Sequence, residues 1–410
     1  MNNKKNVIWS TIGISCNVFI SLFFLIITAR INTIKDVGIF SFAFSIANTM
    51  YVLGSFGGRV YQVTDTEGEF DDNDYIGFRI LSSISMIILT ILFVMINRYD
   101  LYKSSIFILL VGFKFMESIS DVYYAVMQKN DKLYSVGISM TFKALVGITI
   151  FTIVDYFTEN LIIAICMIIL VNLLTFIFYD LAVVRKVKKV YPVFNMSTMK
   201  NLLKACIYFF AFTFLSSLVI NIPRYAVDLY STEEIQAIYG IIVMPATSIA
   251  LFGQFILQPI LVSLSKLYSK KKIKEFSAMI NKGVFLLVGF TIVCEIGAYI
   301  LGIPVLSLVY GIDLTAYKLQ LLVVIFGALF STIAAVYSTA LTTMRMTKEQ
   351  LIIYFANTAF AVLISFVLVY KAELLGGVVS YVGIMLFQYM GYTILYKIRL
   401  YRVKKELSYE

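Results

Sequence analysis

Twelve apolar runs punctuate the chain, each long enough to cross a lipid bilayer as a helix. Their limits are 7–29, 37–60, 76–96, 105–128, 134–154, 160–183, 203–222, 236–262, 279–302, 316–344, 350–370 and 374–396. About 20 apolar residues rising 1.5 Å each match a hydrocarbon core of about 30 Å. The connections are short, which predicts helical bundling with small loops. Apolar residues make up 60% of the 410 and charged residues 14%, against about 25% charged in soluble domains. The expected fold is an all-α integral membrane protein with twelve transmembrane helices.

The net charge of +10 does not mark a nucleic-acid partner, because the basic residues cluster between apolar runs. With the N-terminus inside, 23 of the 34 Lys and Arg fall on inner segments, 7 on outer ones and 4 in or at the ends of spans. That asymmetry predicts both termini in the cytoplasm. The start, MNNKK before an apolar run, imitates a signal peptide; no small-residue cleavage site follows, so it reads as a first anchor. The chain has no His, which removes imidazole-based zinc or haem sites. Cys16, Cys166, Cys206 and Cys294 each sit in an apolar run without close spacing, so no disulfide framework is expected. No metal, no cofactor and no catalytic constellation is expected, and the chain does not read as an enzyme.

A basic linker at 184–202 separates an N-terminal six-span lobe (1–183) from a C-terminal one (203–396), followed by a basic tail at 397–410. Words recur at matching places: DVGIFSFAFSIA opens span two and AIYGIIVMPATSIA opens span eight. Two six-helix repeats are a common plan of secondary transporters. The five prolines separate the halves, since none lies in spans one to six. Pro223 is expected to end span seven. Pro245 and Pro259 are expected to break span eight as hinges, the alternative being static kinks.

Span four carries three charges, Lys114, Glu117 and Asp121. Their spacing of three and four places them on one helical face. Lys114 lies about 14 Å from the span's outer end, and Lys143 in span five about 14 Å from its inner end. A charge at that depth costs at least ~2.5–3.5 kcal/mol in lipid, so the face looks into protein or water. Two lysines at one depth read as a seat for an anion; the plainer reading is that Lys114 pairs locally with Glu117 or Asp121. Lys143 has no acid at i±3 or i±4, so replacing it is the cleaner test of an anion seat.

Other charges divide between two readings. Arg30 closes span one and Arg224 closes span seven, equivalent positions that suit a phosphate or a headgroup anchor. Arg59 follows Gly57 and Gly58, where backbone or ligand can approach closely. Glu295 is the most isolated membrane acid and a candidate ion carrier, as are Asp228, Glu117 and Asp121; Asp228 also sits one turn from Arg224, as a local pair would. Tyr51, Tyr123 and Tyr124 are cavity candidates. Residues 65–74, DTEGEFDDND, read as a solvated loop or, less simply, a weak cation site or partner surface.

The stretch TARINTIKDVGIFSFAFSIANTMYVLGSFGGR (28–59) resembles the first hairpin of bacterial polysaccharide flippases, the Wzx-type branch of the multidrug/oligosaccharidyl-lipid/polysaccharide (MOP) exporter superfamily. Arg30, Gly38 and Phe40 match that pattern, as do 222–241, 257–267 and IPVLSLVYG at 303–311. The resemblance covers essentially the whole chain. It implies a V-shaped pair of pseudo-symmetric lobes, as in the drug-exporting (MATE) branch, around a central cationic cavity. It also implies alternating-access flipping of an undecaprenyl-diphosphate-linked oligosaccharide across the bacterial plasma membrane, for capsule, O-antigen or other lipopolysaccharide assembly. Implied partners are that lipid-linked substrate, membrane lipid, and a glycan polymerase and glycosyltransferases. The drug-exporting branch often has an acid in span one, where this chain has only Asn17. The chain is also too short for the two extra helices of the peptidoglycan-precursor branch. The competing readings are a cation-coupled small-solute or drug exporter and a scaffold for glycan assembly.

Overall fold

The computed structural model describes residues 2–65 and 68–408, without the side chains at 2, 3, 251, 254–256, 258–262 and 406–408. The described residues form helices and connections, with no strand. In chain order the helices are α1 (Asn2–Ile31), α2 (Ile34–Ser55), α3 (Gly58–Thr64), α4 (Asp72–Asn97), α5 (Leu101–Lys129), α6 (Leu133–Thr158) and α7 (Leu161–Thr175). A π turn (Phe176–Asp180) leads into α8 (Leu181–Arg185). There follow α9 (Met196–Tyr230), α10 (Glu233–Ser269), α11 (Ile273–Gly297), a second π turn (Ala298–Gly302), α12 (Ile303–Tyr310), α13 (Lys318–Thr343) and α14 (Thr347–Ser408). Non-helical backbone at Ala372 and Glu373 divides α14 into two spans. Each of the twelve expected spans therefore falls on helix. Among the described residues nine stretches are long and apolar enough to cross a bilayer. The charges of α5 keep it off that count, since every 18-residue window in it holds three or more.

Local chemistry sets the starts and stops. Thr33 and Asp36 form a reciprocal capping box at α2, Asp71 and Asp74 another at α4, and Asp100 and Asn160 cap α5 and α7; each satisfies amides that the first turn leaves open. Three of the turns between helices share one hydrogen-bond pattern. Asp131, Lys271 and Arg345 each donate three residues back, and the residue after each donates five back. All three have positive φ, 57°, 56° and 60°. These are Schellman caps with a left-handed residue just past the helix, a place that favours glycine.

Two compact units emerge, Met1–Ser217 and Leu218–Glu410. The same pairings recur inside each: α2 packs on α5 and α4 as α10 packs on α13 and α11. The division lies later than the expected linker at 184–202. The reason is packing: Met199 and Leu202 at the start of α9 share a core with Phe70, Tyr75, Ile76 and Val122. The helices continue through the prolines expected to end or break them. Pro223 lies inside α9, which runs on to Tyr230, and α10 is helical through positions 245 and 259. A missing amide costs one hydrogen bond, which packing within a long membrane helix can absorb. The side chain of Pro259 lies outside the described residues.

The acidic segment is partly exposed and partly tied down, with Thr66 and Glu67 outside the described residues. Asp65 accepts the amides of Gly68, Glu69 and Phe70, each at 3.0 Å, and the Tyr75 hydroxyl at 3.1 Å. Asp71 and Asp72 bind Lys188 at 2.9 and 2.7 Å. Asn73 accepts the Tyr191 amide through its side chain and the Val193 amide through its carbonyl. Gly77 completes this clasp, because a Cβ there would stand 1.9 Å from the Val193 carbonyl oxygen. The partner of the acidic loop is the basic linker of its own chain.

Helices α1 and α6 meet at glycine. A Cβ on Gly137 would stand 2.1 Å from the Trp9 carbonyl oxygen, and one on Gly13 would stand 2.6 Å from that of Gly137. Gly137→Ala should push the helices apart and cost about 1–3 kcal/mol, the usual penalty of overpacking. A fall in the unfolding temperature in detergent checks this; an unchanged temperature would mean the contact is loose.

The clasp should depend on pH. The Lys188 ammonium holds the Asp71 carboxyl below its usual range. Burial pushes Asp65 up, but the amides of Phe70, Glu69 and Gly68 and the Tyr75 hydroxyl outweigh it and leave Asp65 lowered. Depressed carboxyls contribute stability above the ordinary value of about 3.9 and lose it as pH falls through their lower folded values. Amide hydrogen exchange across 186–195 should therefore accelerate below about pH 4, and Lys188→Gln should accelerate it at neutral pH. Equal protection in parent and variant at neutral pH would remove Lys188 from the clasp.

Candidate functional site

Within the first unit, α3 to α7 bring most of the membrane charges together. Lys114 on α5 binds Glu117 one turn on at 2.6 Å, and its ammonium lies 5.0 Å from the Phe44 ring and 5.8 Å from that of Tyr51. Asp121, one turn beyond Glu117, is shared by two arginines. Arg59 of α3 reaches one carboxylate oxygen at 3.0 Å and Arg79 of α4 the other at 3.1 Å. Arg59 also donates to Gln128, and Arg79 to the Ser118 carbonyl. Gly58 leaves room for this, since a Cβ there would lie 3.0 Å from the second Arg79 nitrogen. That nitrogen is buried without a hydrogen-bond partner.

Lys143 of α6 is not the bare cation expected. Its ammonium donates to Asp180 at 2.6 Å, to Ser120 at 2.7 Å and to the Tyr124 hydroxyl at 3.0 Å. All three donors of the ammonium are thus used. Asp180 stands in the π turn after α7, and its other oxygen accepts from Ser139 at 2.6 Å. Lys143 is 7% exposed and Asp180 0%. A lysine buried this deeply calls for a counterion, and Asp180 supplies one from a neighbouring segment.

A cavity of about 40 Å³ opens between these elements, lined among others by Asn17, Tyr51, Glu117, Asp121, Tyr124 and Lys143. It has room for a few waters. Four cations, Lys114, Lys143, Arg59 and Arg79, stand against three acids, Glu117, Asp121 and Asp180. A surplus of one positive charge remains in a desolvated bundle.

The expected site residues divide accordingly. Lys114, Lys143, Arg59, Glu117 and Asp121 come together. Arg30 is exposed at the end of α1, away from the cavity lining. Arg224, Asp228 and Glu295 belong to the second unit. There Arg224 is buried, 5.8 Å from the Tyr239 ring. Glu295 has one carboxylate oxygen buried without a hydrogen-bond partner. Pro245 lines an apolar groove of about 520 Å³ with Phe252, Phe290 and Leu301. Two members of the cluster escaped sequence reading, Arg79 and Asp180. Each is a lone charge near the end of an apolar span, which was the available signal. Of the two local partners offered for Lys114, Glu117 is the one it meets; Asp121 instead pairs with the two arginines, which approach from other helices.

No known family profile matches the chain. It is 27% identical over 365 residues to the capsular polysaccharide biosynthesis protein CapF of Staphylococcus aureus, covering 87% of this chain and 89% of that one. The lipid II flippase MurJ, solved in an inward closed conformation, superposes with a TM-score of 0.74 at 14% identity, over 95% of this chain and 87% of that one. An inward-facing MATE-family multidrug transporter of the MOP superfamily gives 0.72 at 11% identity, over 97% and 99%. The chain has the fold of the MOP-superfamily transporters and is a multi-pass membrane protein.

The Lys143–Asp180 pair can be tested by a double-mutant cycle. Asp180→Asn leaves a buried cation without its counterion and should cost about 3–5 kcal/mol of stability. Lys143→Met alone leaves the carboxylate unpaired, and Lys143→Met with Asp180→Asn removes both charges and should recover most of that loss. Thermal unfolding of the four purified proteins gives the coupling. A double variant no more stable than Asp180→Asn would show that the two side chains do not depend on each other.

Proposed function

We propose that this chain is a flippase that carries a polyprenyl-diphosphate-linked oligosaccharide repeat unit from the cytoplasmic to the outer leaflet of the bacterial plasma membrane by alternating access. The observation that carries the reading is the excess of cations over acids in the buried cluster of the first unit. A diphosphate is anionic and is bound best by ammonium and guanidinium groups, whereas a cationic drug calls for the opposite surplus. That weighs against a cation-coupled drug exporter. A glycan-assembly scaffold gives no reason to hold seven charges away from water, at several kcal/mol each before pairing. The likeness to a capsular polysaccharide biosynthesis protein supports a surface polysaccharide of capsular type as the destination.

The cavity of about 40 Å³ is far smaller than a diphosphate sugar, so substrate enters by displacing the acids. Glu117 and Asp180 are the counterions of Lys114 and Lys143 in the resting bundle; a diphosphate replaces them. Arg59 and Arg79, already fixed on Asp121, add positive potential without moving. With Glu117 and Asp121 engaged by basic groups, Glu295 and Asp228 of the second unit are the expected acids left for ion coupling. Both termini lie in the cytoplasm in this scheme, as the basic asymmetry requires.

Neutralising Lys114 and Glu117 together, as Lys114→Gln with Glu117→Gln, leaves no orphaned charge. In proteoliposomes this variant should insert normally and flip a polyprenyl-diphosphate oligosaccharide at least tenfold more slowly, a loss of about 1.4 kcal/mol or more. Lys371→Gln, exposed in the kink region of α14, should flip like the parent. Parental rates in the double variant would overturn the cluster's role in substrate binding.

A further inference from the structure

At one end of the second unit, three segments distant in sequence converge on a basin of about 1250 Å³. The turn from α10 to α11 contributes Lys266 and Lys271, the turn from α13 to α14 contributes Arg345, and the C-terminal part of α14 contributes Arg399 and Arg402. Among the described residues of its wall five are basic and one, Glu349, is acidic, on a concave surface large enough for a phosphorylated headgroup.

Topology alone does not account for this arrangement. Basic residues that fix orientation need only lie on the inner side; they need not surround a hollow. Nor does folding require side chains at two of these positions. Lys271 and Arg345 occupy the left-handed residue of Schellman caps, where glycine would relieve the steric cost of a Cβ. The equivalent turn of the first unit carries an acid there, Asp131, on the same backbone. The second unit thus tolerates strain twice to hold a cation over the basin. Three of the five cations are arginines, whose planar forks match phosphate oxygens.

We infer that this basin is a second anion site, built wholly of the second unit, that binds the phosphate or diphosphate headgroup of an inner-leaflet lipid. The inference rests on the inward orientation of the basic end assumed in the flippase reading. It does not depend on the cluster around Lys143, which belongs to the first unit.

The test uses the full-length protein in detergent at low ionic strength, with inorganic pyrophosphate as the probe, because charge binding is screened as salt rises. Arg345→Gly with Arg402→Gln should weaken pyrophosphate binding at least tenfold without lowering the unfolding temperature, since glycine suits the cap. Lys348→Gln with Lys404→Gln removes the same charge from basic residues that do not line the basin and should change affinity less than twofold. Equal weakening in both variants would mean a diffuse potential and overturn the site, as would no binding by the parent. Competition then separates the sources. Displacement of pyrophosphate by phosphatidylglycerol in nanodiscs assigns the basin to bulk anionic lipid. Displacement by polyprenyl diphosphate alone assigns it to the cargo, and displacement by neither overturns a lipid role. Retained flipping in a variant that has lost pyrophosphate binding leaves the flippase reading standing; lost flipping in the Lys114/Glu117 variant with intact pyrophosphate binding leaves the basin standing.

Discussion

A charge in the low-dielectric interior must meet its opposite, and the first unit is arranged around that requirement. The Coulomb attraction of a pair grows as water is excluded, but so does the penalty for removing each ion from water. The chain meets both with closed networks: Lys143 uses all three ammonium donors, and Asp180 uses both oxygens. The second network, Arg59–Asp121–Arg79, sits one to two turns along α5 from Lys114. Together they join α3, α4, α5, α6 and the π turn after α7 by contacts that are directional, where apolar packing alone is not. Membrane helices lack the hydrophobic drive that packs soluble ones, so polar contacts of this kind carry weight in fixing which faces meet.

The sequence made the helices legible and left their partners hidden. Apolar run length needs no knowledge of neighbours, so all twelve spans could be placed from composition. The shared face of Lys114, Glu117 and Asp121 was legible for the same reason, since a helix repeats every 3.6 residues. Pairing across helices was not. Lys143 lacks an acid within one turn on its own helix, and only the fold shows Asp180 arriving from the π turn 37 residues on. A π turn has no dependable sequence signature, and it changes which face the following residues present. Helix continuity at the prolines was hidden for a related reason: a missing amide is a local fact, while neighbouring helices can re-satisfy the freed backbone groups.

The acidic segment shows a different kind of invisibility. Its composition resembles a solvated loop, and its linker resembles a tether, because each was read without the other. Charge complementarity between 65–74 and 184–202 was present in the residues, yet nothing in one dimension required them to meet. Gly77 belongs to the same lesson. In sequence it is an ordinary glycine near the start of a span; in the fold it is the gap through which the linker backbone crosses α4.

The completeness of the Lys143 network has a kinetic and ionic consequence. Asp180 is tethered beside the ammonium, so under the proposed function it acts as a built-in competitor at high effective concentration. Under the proposed function a diphosphate does not meet an open charge; it trades places with a carboxylate. Apparent affinity is then the intrinsic affinity reduced by the fraction of molecules in which the carboxylate has swung away. Such an exchange conserves the number of ion pairs, so ionic strength alters it less than it alters capture at an exposed basic surface. Release follows the same logic in reverse: the returning carboxylate re-forms the pair and displaces the cargo, so emptying the seat needs no separate step to neutralise the lysine.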